Sequence, residues 1–157
     1  NKLSRSVFFD ADDLDNLQDI PKHVRNSEVL VLLQTKNIFT RPYCLLEIKT
    51  AIDHDIPIIG VQLISADVPA YDFEQAKDFL RTLDEQLEVA TPGATLTLKK
   101  HNITDLKALG MKLHHCVPDI ISMKIDYTFQ GSVLLAMKLE LVKKIRDESS
   151  KHHRRAR

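Results

Sequence analysis

The side chains best suited to chemistry in this chain are few and lie far apart. Asp10, Asp12 and Asp13 crowd one short stretch after Val7-Phe8-Phe9. Such a group can hold a cation, and it equally forms a solvated acidic loop after a strand. His114-His115-Cys116 offers metal-ligating atoms. Adjacent residues on a helix diverge by about 100°, however, and no second ligand pair follows at zinc-like intervals. His152-His153 lies in a basic run and is no better placed. Gly60, Gly93, Gly110 and Gly131 stand singly, so they build no glycine-rich phosphate loop. No Ser-His-Asp or Cys-His arrangement can be assigned from spacing. Glu47 falls early in an expected helix, where a carboxylate complements the helix dipole. Cys44 belongs to the apolar stripe of that helix and reads as core.

The elements that would position these groups alternate along the chain. Val7-Phe8-Phe9, Glu28 through Leu33 and Pro57 through Leu63 are short apolar runs. The second and third are nearly continuous in Val, Ile and Leu, as strands covered on both faces must be. Ile120 through Ile125, after Pro118, is a fourth expected strand. Between the first two strands, Leu14, Leu17, Ile20 and Val24 recur at helical spacing, although Pro21 permits only a short or broken helix. Cys44, Leu45, Ile48, Ala51 and Ile52 form the next helical stripe. A single helix is expected from Tyr71 to Leu87, with Thr91-Pro92-Gly93 as a turn. Another opens at Asn102-Ile103-Thr104-Asp105, and a long last helix begins with Ser132 as its N-cap. This alternation predicts a doubly wound α/β sheet.

The totals bound the function. One domain fits 157 residues, and 43% apolar with 28% charged residues is ordinary for a globular chain. Lys+Arg and Asp+Glu are 22 each, so no net field draws nucleic acid or an anionic membrane. Residues 150–157 read as a basic tail beyond a domain of residues 1–149. The two cysteines, Cys44 and Cys116, make no disulfide framework and suit a reducing compartment. No apolar run approaches the roughly 20 residues of a membrane span. The chain opens on Asn1, and the expectation is a segment of something longer.

Three segments carry a resemblance. Val7-Phe8-Phe9-Asp10-Ala11-Asp12-Asp13-Leu14 is one; Ile20 through Leu33, with Ser27 before the strand, is the second. Tyr43-Cys44-Leu45-Leu46-Glu47-Ile48, followed by Ala51-Ile52, is the third. In order and spacing they resemble the middle of a TIR (Toll/interleukin-1 receptor-like) domain, with Tyr43 where that family usually has Trp and Ile48 where it has Leu. From Ser65 onward the likeness is architectural only.

The resemblance implies a flavodoxin-like doubly wound parallel sheet whose first strand lies outside this chain. That strand would sit between residues 7–9 and 28–33, and only six residues precede Val7. A sheet without it leaves two rows of backbone groups unpaired in the core, at about 1–3 kcal/mol for each group. The expectation is therefore that an upstream segment or another chain supplies it.

For function the resemblance leaves two readings open. The first is a signalling or scaffold module, cytoplasmic, acting by assembly with other TIR-like domains or a larger scaffold and needing no cofactor. The second is an NAD+ glycohydrolase. There Glu47 would stabilise the oxocarbenium-like state at the nicotinamide ribose. Tyr43 would stack on a ring, and Asp10 and Asp12 would line the nucleotide cleft.

Overall fold

Continuous Val-Ile-Leu runs shed water on both faces only if helices cover both sides of the sheet they form. The computed structural model, which describes residues 17–67, 69–118 and 120–155, has this arrangement. Strands β1 (Leu30–Gln34), β2 (Ile58–Ile64) and β3 (Met123–Asp126) form a parallel sheet in the order β1-β2-β3. Leu32 stands opposite Gly60, and Val61 opposite Met123. The fold is α/β and flavodoxin-like, and among the described residues no strand pairs with the outer edge of β1. Val7-Phe8-Phe9 and Asp10, Asp12 and Asp13 lie outside the described residues.

Helix α1 (Ile20–Arg25) follows a 3₁₀ turn at Leu17–Asp19, and Pro21 sits in its first turn, where a missing N–H costs nothing. Helix α2 (Pro42–Asp53) carries the chain from β1 to β2. The crossover from β2 to β3 is built from α3 (Phe73–Arg81), α4 (Leu83–Ala90), α5 (Ala94–Lys100) and α6 (Leu106–Cys116). The single helix expected from Tyr71 to Leu87 is thus two. At the break, the Thr82 hydroxyl turns back to the Asp78 carbonyl (3.0 Å), competing with the helical ladder. Asp72 and Asp105 cap α3 and α6, accepting from the backbone N–H of Gln75 (2.9 Å) and Ala108 (2.8 Å).

The last strand starts later than its apolar run. Ile120 donates back to the Val117 carbonyl, and Ile121 is 97% exposed, so pairing begins only at Met123. Helix α7 (Ser132–Arg155) starts at Ser132 itself and runs on past residue 149, so residues 150–155 are helical.

Alternation along β1 divides the core in two. Leu30 and Leu32 face the layer of α1 to α6, where Leu45, Ile48, Leu80, Leu83, Leu87 and Leu113 are buried. Val29 and Val31 face the other side, where Ile59, Val61 and Ile125 are buried beneath Leu134, Leu141 and Ile145 of α7. The first core is far larger. On the second side α7 is the cover, and none of its described side chains is fully buried. No helix of the described residues is long and apolar enough to cross a membrane.

Candidate functional site

The turn from β1 into α2 places the resembling motif at the C-terminal edge of the sheet, where ligands of doubly wound folds collect. Arg41 caps α2 in an extended conformation and Pro42 fixes its first turn. Tyr43 and Glu47 are four residues apart on this helix, so they share a face one turn from each other. Glu47 is half-buried. Tyr43 and Cys44 pack against the larger core, next to Leu45, Leu46 and Ile48. Neither Cys44 nor Cys116 is in a disulfide. Asp10 and Asp12, the other expected site residues, lie outside the described residues and are not placed with this pair.

Two cavities among the described residues lie near this helix without Tyr43 or Glu47 in their lining. The smaller, about 310 Å³, lies at the same edge beneath the loop after β1, lined by Lys36, Asn37, Phe39, Gln75, Asp78 and Gln86. The larger, about 480 Å³, lies where α1 meets the end of α2 and the turn from α5 to α6. Lys22, Arg25, Lys49, Asp53, Lys100 and His101 line it. Neither cavity is lined by Tyr43 or Glu47. Since α2 runs from the C-terminal end of β1 toward the start of β2, the end of α2 and the larger cavity lie at the opposite edge of the sheet.

The larger cavity is framed by two helix ends of the same design. Helix α2 ends with Asp55 at φ 54°, its N–H donating to the Ile52 carbonyl (3.3 Å) and that of Ile56 to Ala51 (2.9 Å). Helix α5 ends with Asn102 at φ 62°, its N–H donating to Lys99 and that of Ile103 to Leu98, both at 3.0 Å. These are Schellman caps; each closes on a buried isoleucine, Ile56 or Ile103, and satisfies carbonyls that would otherwise face the cavity. Asp and Asn tolerate the left-handed conformation such caps require. Inside the cavity, the Asp53 carboxylate accepts from both Lys49 and Lys112. Partial burial raises its pKa, but the hydrogen bonds from Lys112 and Lys49 outweigh this and hold it below the ordinary carboxylate value.

A partly buried polar pair crosses the sheet itself. Gln34, 2% exposed, accepts at Oε1 from the Ser122 hydroxyl, over the space left by Gly60. A Cβ on Gly60 would lie 3.0 Å from Ser122 Oγ and 3.2 Å from the Gln34 amide carbon. The Gln34 Nε2 has no hydrogen-bond partner among the described residues. Sequence reading missed this pair because a glutamine closing an apolar run looks like the end of the strand. Among the described residues, no group of three His, Cys, Asp or Glu side chains converges to hold a metal ion. His114 and His115 stack edge to face, with ring centroids 5.1 Å apart.

No family model and no curated protein matches this chain.

Proposed function

We propose that this chain is a TIR-like interaction module, working by assembly with other such domains or within a larger scaffold. The observation that carries this reading is the state of α7. Its inner stripe of Leu134, Leu141 and Ile145 packs on the sheet, while Leu135 and Leu139, turned away from that stripe toward the solvent side, are 57% and 59% exposed. Leu33 at the end of β1 is 40% exposed. Apolar side chains this open at helical spacing are what a partner surface covers.

The competing reading is NAD+ cleavage with Glu47 as the key carboxylate and Tyr43 beside the substrate ring. In its favour is the shared face of Tyr43 and Glu47 at the C-terminal edge. Against it, Tyr43 packs partly into the core, and Glu47 lines neither of the two cavities described above. Incubating the concentrated chain with NAD+ and measuring nicotinamide separates the two. The interaction reading predicts no turnover, and no difference between wild type and Glu47→Ala. Nicotinamide release that vanishes in Glu47→Ala replaces it with the enzymatic one.

A further inference from the structure

We infer that the larger cavity, between α1, the end of α2 and the α5–α6 turn, is a binding site for a compact polyanion of the phosphate-bearing class.

Among the described residues, four cations line the cavity, Lys22 and Arg25 from α1, Lys49 from α2 and Lys100 from the end of α5, against two carboxylates, Asp19 and Asp53. Asp53 is engaged by Lys49 and by Lys112. Lys22, Arg25 and Lys100 make no ion pair with any described residue, which leaves Asp19 as the one lining carboxylate among the described residues for three cations. The whole chain has no net charge, so this excess is local. Two separate segments of the chain, α1 and the end of α5, bring like charges to one concavity. Repulsion opposes that arrangement unless an anion is there to offset it.

Helix ends alone do not account for these groups. Cations at a helix C-terminus complement its dipole, and Lys99 and Lys100 both occupy the last turn of α5. A helix of six residues, as α1 is, carries little dipole for Lys22 and Arg25 to complement. The Schellman caps also bind the final carbonyls of α2 and α5 to backbone N–H groups, so those acceptors do not compete for the cations.

The lining also narrows the ligand. Donor side chains predominate, with His54, His101 and Asn102 beside the cations, and no Phe, Tyr or Trp among the described residues lines it to stack on a base. At about 480 Å³ the space suits a small molecule. A compact ligand with several phosphate groups matches these features, and a nucleobase finds no platform. The site lies at the opposite edge of the sheet from Tyr43 and Glu47 and does not depend on the interaction reading.

Isothermal titration with tripolyphosphate, at ionic strength held constant with chloride, tests this. Wild type is expected to bind saturably at one site, and inorganic phosphate more weakly. Lys22→Ala, Arg25→Ala and Lys100→Ala should each weaken binding about tenfold, as loss of one charge-assisted hydrogen bond does. Lys107→Ala, an exposed lysine on α6 outside the cavity, should bind as wild type does. Thermal melts matching wild type would show that the alanine variants fold. Arg25→Lys keeps the charge and should bind better than Arg25→Ala. Absence of saturable binding overturns the inference, and so does equal weakening by Lys107→Ala. A poly-glutamate peptide binding in preference to tripolyphosphate would also overturn it, since that assigns the groove to an acidic protein partner.

Discussion

Gly110 of α6 lies against the carbonyl oxygen of Leu80 at the end of α3, so close that a Cβ there would overlap it. The same Cβ would also meet the Leu83 Cβ at 2.9 Å. This glycine is needed for contact, since it sits inside a helix where alanine is favoured by about 1 kcal/mol. Both obstacles are fixed, one a backbone atom and the other the first atom of a buried side chain.

Gly110→Ala is therefore expected to destabilise the fold by about 1–3 kcal/mol, the overpacking cost exceeding the gain in helix propensity. Urea denaturation would show a lower midpoint at an unchanged slope. A midpoint raised by alanine would mean that α3 and α6 do not cross this closely.

Asp53 gives a pH test. Its folded-state pKa is lowered, chiefly because the hydrogen bonds from Lys112 and Lys49 overcome the effect of burial. A lowered carboxylate contributes stability above its unfolded pKa, about 3.9, and that contribution is lost as pH falls through the folded value. Asp53→Asn should thus cost roughly 0.5–1 kcal/mol at neutral pH, the size of a partly exposed ion pair. Well below pH ~4 the variant and wild type should converge. A difference that persists in acid would assign the effect to packing and not to charge.

Glu88 ties α4 to the start of α5. Its carboxylate accepts from the N–H of Gly93 (2.7 Å) and of Thr95 (3.0 Å), and these bonds hold its pKa below the ordinary value. Gly93, at φ 87°, provides the left-handed turn that brings α5 back toward it. Glu88→Gln should speed hydrogen exchange at the Thr95 amide while leaving the buried Leu98 region protected. In wild type, the same amide should lose protection as pH falls through the lowered carboxylate value. Exchange unaltered by the substitution would contradict the cap.

Glu28 ties down the far end of α7. Glu28, just before β1, accepts at Oε2 from the Ser149 hydroxyl and at Oε1 from His153 Nε2 (2.7 Å). Glu28→Ala should free the last turns of α7, so that trypsin cuts faster at Lys151 and Arg154. The melting temperature should change little, because the interaction is partly exposed. Equal cutting rates in variant and wild type would mean that the end of α7 is held by something else.

Much of this architecture can be read from residues 28 to 63. Two nearly unbroken Val-Ile-Leu runs flanking the Cys44 to Ile52 stripe leave a parallel pair joined by a helix as the economical solution, and β1, α2 and β2 follow it. The crossover was less legible. Helix α5 has no signal of its own in the sequence, because Thr91-Pro92-Gly93 marks a turn and Ala94–Lys100 is too short to establish a period. The division of Tyr71 to Leu87 depends on Thr82 and on the approach of Gly110, and that approach is a tertiary contact with no local signature. Residues 150–155 carry the composition of a tail, yet Glu28, more than a hundred residues away in sequence, anchors them as helix.

The candidate site shows the same division. The motif places Tyr43 and Glu47 on one helix, and the helix spacing that aligns them follows from it. The cavity lined by Lys22, Arg25 and Lys100 has no such motif, because its residues come from segments that meet only in the fold. The double wrapping of Asp53 by Lys49 and Lys112 is equally invisible in sequence order.

The claim that the open flank of α7 is a partner surface is tested most directly by sedimentation velocity across a wide range of concentration. The account predicts that wild type forms larger species as concentration rises. It also predicts that Leu135→Glu with Leu139→Glu, both at exposed positions and so without cost to folding, stays monomeric throughout. A wild type that remains a monomer at every concentration would contradict it, and so would a double variant that assembles as readily as wild type.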